Sequence, residues 1–101
     1  MASYDDVCEA LEAKDPSVSR GKMFGMPCLK AGGKAIAGEY AGEMVFKLPD
    51  EQVRQQALAL EGAHLFEPMA GRPMKEWVQV PAAHSDHWKR LATEALTLRV
   101  G

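Results

Sequence analysis

The sequence predicts an α+β domain. One antiparallel sheet of about six strands carries helices on one face, in the order helix, four strands, helix, two strands, helix. Three observations point there. Apolar residues recur at helical spacing near both ends and once in the middle. Between residues 18 and 48, three turn signals fall so close together that the strands join as an antiparallel meander. The length of 101 residues is one domain's worth, since single domains most often run ~100–150 residues. It suffices for one modest core without metals or disulfides.

Ser3 caps the first helix, and Asp6 three residues on completes a capping-box pattern. Tyr4, Val7, Cys8 and Leu11 form its apolar face. Acids crowd the early turns and Lys14 the last, which suits the helix dipole. Asp15-Pro16 ends it, because the residue before proline avoids the helical region. The first strand is expected at Val18–Phe24, broken by Gly25-Met26-Pro27, and the second at Cys28–Lys30. Gly32-Gly33 is a tight-turn signal. Lys34–Tyr40 alternates, with Ala35, Ala37 and Glu39 on one face and Ile36, Gly38 and Tyr40 on the other. Ala41-Gly42 turns again into Met44–Leu48.

Pro49-Asp50-Glu51 opens the second helix, with Val53, Ala57, Leu58 and Leu60 inward and Gly62 as its stop. His64–Phe66 is a short fifth strand, Glu67–Lys75 a loop, and Trp77–Val80 the sixth strand. Pro81 leads into a last helix with Ser85 as cap and Trp88, Leu91, Ala92, Ala95 and Leu96 on one face.

Composition narrows the function. The apolar fraction of 47% and charged fraction of 26% are those of an ordinary globular domain. Twelve Lys and Arg stand against fourteen Asp and Glu, and both halves of the chain are near neutrality. Direct nucleic-acid binding, which rests on clustered cations, is not expected. No apolar run approaches the ~20 residues that span a bilayer, and the start holds Asp5, Asp6, Glu9 and Glu12 where a secretory signal would be basic then apolar. A cytoplasmic location without membrane contact follows as the expectation. Two cysteines, Cys8 and Cys28, are too few for a disulfide scaffold.

No catalytic constellation stands out, and neither an enzyme nor a cofactor is expected. Gly21-Lys22-Met23-Phe24-Gly25 lacks the Ser/Thr and helix of a phosphate cradle, and glycines in a strand mark a bulge or close approach. His84 and His87 share a helix start, with His64, Asp86, Cys8 or Cys28 as conceivable further metal ligands, but the spacing matches no zinc pattern. Cys8 reads as a small hydrophobe, and Cys28, although Lys30 two residues on would favour its thiolate, also reads as a buried structural thiol.

The segment from Phe66 to Trp77 is the least generic. It combines stiffening prolines, the adaptable apolar side chains of Met69 and Met74, and the cations Arg72 and Lys75. One reading is a recognition loop. Another packs the methionines over the sheet edge and pairs Arg72 with Glu67 or Glu76. A third brings Arg20 and Lys22 to Arg72 and Lys75 as an anion site for a small molecule. A homodimer is also expected, because a single-layer sheet leaves a face or an edge needing cover.

Three blocks resemble the N-terminal domain of the TfoX/Sxy family: Gly21-Lys22-Met23-Phe24-Gly25; Gly33-Lys34-Ala35 leading to Met44-Val45-Phe46-Lys47-Leu48-Pro49; and Phe66-Glu67-Pro68-Met69 through Gly71-Arg72-Pro73-Met74-Lys75-Glu76-Trp77-Val78. The likeness runs from about Tyr4 to Leu98, and the third block is its most specific part. It implies a two-layer fold with terminal helices, occupying 1–101 as a single domain without the C-terminal helical domain of the family's founders. Those founders regulate bacterial DNA uptake as coactivators beside a cyclic-AMP-dependent transcription factor. The implied role is a regulatory or protein-interaction module, with a transcription regulator as candidate partner. The resemblance supplies no catalytic residues.

Overall fold

The computed structural model describes residues 3–69 and 71–98. Its elements are α1 (Tyr4–Lys14), β1 (Val18–Met23), β2 (Met26–Ala31), β3 (Lys34–Tyr40), β4 (Glu43–Lys47), α2 (Glu51–Leu58), β5 (His64–Met69), β6 (Arg72–Val80) and α3 (Trp88–Leu98). The strands form one antiparallel sheet in the order β1-β2-β3-β4-β6-β5. The fold class is the α+β architecture expected.

The helices begin as their capping residues dictate. The Ser3 hydroxyl accepts the Asp6 N–H while the Asp6 carboxylate accepts the Ser3 N–H, and Asp50 accepts the Val53 N–H at the start of α2. Two helix boundaries differ from the sequence reading. α2 ends at Leu58, so Gly62, although in the left-handed region, belongs to the following turn. Ser85 does not open α3 as its cap. Pro81 is extended and His84 is off the helical region, so a 3-10 turn over Ala82–His87 comes first; the Ser85 carbonyl accepts the Trp88 N–H.

The strands are joined by two-residue turns with positive φ at both central positions: Phe24-Gly25, Gly32-Gly33 and Ala41-Gly42. Such turns match the twist of the flanking strands. The first break therefore falls at Phe24-Gly25, starting one residue earlier than Gly25-Met26-Pro27, and Met26 and Pro27 already belong to β2. Met23 and Met26 close the hairpin as its hydrogen-bonded pair. Lys22 and Pro27 then form a non-hydrogen-bonded pair, where a missing N–H costs the β1–β2 ladder nothing.

The main core lies between the sheet and all three helices. Val7, Leu11, Leu29, Phe46, Leu48, Val78, Val80 and Leu91 are fully enclosed there. A bulge opposite Leu29 and Lys30 places both Ile36 and Ala37 on this side, which breaks the simple alternation read for β3. A second, smaller cluster occupies the other face: Met26, Val45, Phe66 and Trp77 are buried, with Met23, Ala35 and Met74 packed around them. Among the described residues no helix covers that face. The chain covers it with its own β5–β6 hairpin.

Candidate functional site

The segment expected as a loop is a strand pair. β5 runs to Met69 and β6 starts at Arg72. The prolines misled the sequence reading, since they usually interrupt strands. Here Pro68 lies on the last strand of the sheet. Pro73 precedes the part of β6 that pairs with β4, which begins at Trp77. Neither position owes the inner ladder an N–H.

The hairpin bends because its two strands differ in length. Leu65 pairs with Val78, but Phe66 pairs with Met74, so Lys75, Glu76 and Trp77 have no counterpart on β5. The bend swings the distal arm, Phe66–Met74, across the second face. Phe66 and Tyr40 meet edge-to-face with ring centroids 5.2 Å apart. Tyr40 is on β3, three strands away in sheet order, which in a flat sheet would be about 14 Å. The Leu48 N–H donates to the Glu76 carbonyl at 2.7 Å and pins the bend to the end of β4. Glu67 accepts the Gly71 N–H at 3.3 Å across the hairpin turn.

The arm therefore has two sides. Phe66 is buried and Met74 half-buried against the second cluster, whereas Arg72, Pro73 and Lys75 are exposed. Among the described residues no carboxylate pairs with Arg72, so the expected pairing with Glu67 or Glu76 is absent. Met69 closes β5 opposite Arg72, and its side chain lies outside the described residues.

The anion site that required four cations does not assemble. Arg20 lies on β1 and is held by α1: Nη1 reaches Asp5 at 3.0 Å, and Nη2 and Nε reach Glu12 at 3.1 and 3.3 Å. Glu12 foremost raises the guanidinium's pKa further above its ordinary value. β2, β3 and β4 separate β1 from β6. Lys22 is exposed near the end of β1, opposite Pro27. Sequence reasoning passed over Phe24, which is 64% exposed with φ of +52°, and Tyr40, which is 40% exposed. The signal for the former was present: an aromatic before glycine at a two-residue turn.

The other candidates resolve into structure. Cys8 and Cys28 are buried, and burial pushes both thiols up, against a smaller opposing effect of Lys30 on Cys28. Among the described residues the buried Tyr4 hydroxyl and Trp88 indole N–H meet no nitrogen or oxygen partner; the Tyr4 hydroxyl lies against the Cys8 thiol, and burial foremost raises its pKa. His84 Nε2 faces the Glu61 carbonyl at 2.8 Å, and His64 Nδ1 its neighbour Leu65's carbonyl at 2.9 Å. Among the described residues no three His, Cys, Asp or Glu side chains are placed to hold a metal ion. Among the described residues no helix is long and apolar enough to cross a membrane. A cavity of about 110 Å³ opens at the opposite end of the sheet from Phe24, rimmed by Lys34, Lys47 and Glu76 over Ala35, Ile36 and Ala95. No family model, curated protein or solved structure matches this chain.

Proposed function

We propose that this chain acts by binding, as a small regulatory or protein-interaction module whose contact surface is the exposed part of the β5–β6 arm and the bend at its base. The observation that carries this reading is the exposure of two cations there. Phe66 and Met74 pack on the second cluster, while Arg72, beside the hairpin turn, and Lys75, in the bend, stand exposed without a carboxylate partner among the described residues. Exposed cations on a braced strand pair present a fixed pattern to a partner, and such patterns set specificity and encounter rate. The TfoX/Sxy resemblance of the Phe66–Val78 block supports a regulatory setting, with a transcription regulator as candidate partner. Pairing with a second copy is not needed to cover the sheet. A two-fold pairing of β1 about Gly21 would also set Arg20 against Lys22 of the copy, a like-charge contact.

The test is a quantitative pull-down comparing wild type, the Arg72→Ala/Lys75→Ala double variant and Glu9→Ala on exposed α1. The double variant should lose the partners that wild type and Glu9→Ala retain. Equal recovery by all three would remove the arm as the interface. Met74→Ala is a poorer probe, because that side chain packs inward.

A further inference from the structure

We propose that the cavity where β3 and β4 part is a binding site for a small free amino acid with an aliphatic side chain. The site goes beyond the arm's contact surface and does not depend on it. It exists because the sheet splits. The β3–β4 ladder runs from Tyr40 opposite Glu43 only as far as Ala37 opposite Phe46. Beyond that point β3 stays with β2, where Ala35 faces Lys30 and Lys34 faces Ala31. β4 stays with β6, where Lys47 faces Trp77 and the Leu48 N–H donates to the Glu76 carbonyl. The bulge supplies the divergence. Leu29 pairs with Ala37 and Lys30 with Ala35, so Ile36 is an extra residue without a counterpart on β2. A bulge bends its strand and re-aims the side chains around it.

The cavity holds about 110 Å³. Its apolar lining is Ala35 and Ile36 of β3 and Ala95 of α3, and its charged lining carries both signs: Lys34 from β3, Lys47 from β4 and Glu76 from β6. Among the described residues neither Lys47 nor Glu76 enters an ion pair, although both line this one cavity. An apolar floor with a few converging polar groups is the usual form of a small-molecule site. The lining also selects the ligand. A plain carboxylate would meet the lysines but also Glu76, and a plain amine would meet Glu76 but also two lysines. A zwitterion sets its carboxylate on the lysine side and its ammonium on Glu76, so all three charges are complemented. Size selects the side chain. A void of ~150 Å³ takes benzene, so this smaller one accepts a short branched aliphatic group and excludes a phenyl ring.

The experiment follows backbone amide shifts of the full chain by NMR during titration with L-valine, with isovalerate, which lacks the ammonium, and with isobutylamine, which lacks the carboxylate. L-valine should move the amides of Ile36, Lys47 and Glu76, with a dissociation constant in roughly the millimolar range that so few heavy atoms allow. Each analogue should bind about fivefold more weakly. Glu76→Gln should bring L-valine down to the level of isovalerate, and Lys47→Gln should weaken both, with melting temperatures unchanged. No movement of these amides up to the solubility limit of L-valine would overturn the site. Equal binding of isovalerate, or tighter binding of L-phenylalanine, would refute the assigned ligand. The Arg72→Ala/Lys75→Ala double variant should bind L-valine as wild type does; a loss there would place the ligand on the arm instead of in the cavity.

Discussion

Replacing Phe66 with alanine removes the side chain that ties the β5–β6 arm to the second face. Phe66 is fully enclosed and meets Tyr40 edge-to-face at 5.2 Å. Truncating a buried phenylalanine costs ~3–5 kcal/mol, of which the aromatic pair accounts for about 0.5–1.5 kcal/mol. Truncating a phenylalanine left on a solvated surface would cost under about 0.5 kcal/mol. Urea denaturation followed by tryptophan fluorescence separates the two, with Trp77 reporting from the same cluster. A domain of this size holds roughly 5–15 kcal/mol in all, so Phe66→Ala could unfold it. Phe66→Leu, at about 1–2 kcal/mol, keeps the measurement in range. A double-mutant cycle with Tyr40→Leu should return a coupling of about 0.5–1.5 kcal/mol. Losses under about 0.5 kcal/mol with no coupling would show that the arm does not fold over the sheet.

Other consequences follow from single positions. A Cβ on Gly38 would lie 2.7 Å from Met26 Cε and 3.0 Å from the Pro27 carbonyl; Gly38→Ala should cost about 1–3 kcal/mol, and an unchanged melting temperature would contradict the close approach of β2 and β3. Tyr4→Phe removes a buried hydroxyl that meets no nitrogen or oxygen partner among the described residues and only the weak Cys8 thiol, so stability should hold or rise by up to about 1 kcal/mol; a loss would reveal an acceptor. Hydrogen bonds from the Ser3 backbone and side chain hold the Asp6 carboxyl below its ordinary value. A depressed folded pKa means that its stabilising contribution is present above the unfolded value of ~3.9 and fades as pH falls through the folded one. Ser3→Ala should therefore flatten the acid limb of a stability–pH curve, and an unchanged limb would count against the capping box. Both thiols are buried with raised pKa values, so a disulfide reagent at neutral pH should label them only as fast as the protein opens; rapid labelling of the native chain would refute that.

The helix-side architecture was readable because its signals are local. Ser3 with Asp6 and Asp50 cap their helices as read, and Tyr4, Val7, Cys8 and Leu11 make one buried face. The turns at Gly32-Gly33 and Ala41-Gly42 fall where glycine follows a small residue. The second face was not readable. Its closure depends on the three residues Lys75–Trp77 having no partners across the hairpin, and no propensity in those residues announces an unequal pairing. Pro68 and Pro73 pointed to a loop because proline's cost depends on which side of a strand is paired. Of the candidate cations, Arg20 was assigned to a ligand when two acids of α1, eight and fifteen residues earlier, already held it. Phe24 escaped because a turn residue's strain is invisible until its φ is known.

The most direct test of the central claim, that the arm and the bend at its base carry the partner surface, places a photo-crosslinking phenylalanine analogue at position 72, at 75 or at 9 in the full chain. The account predicts that positions 72 and 75, both exposed, trap the same protein, while position 9, on exposed α1, traps nothing. Capture from position 9 alone, or different partners from 72 and 75, would contradict it.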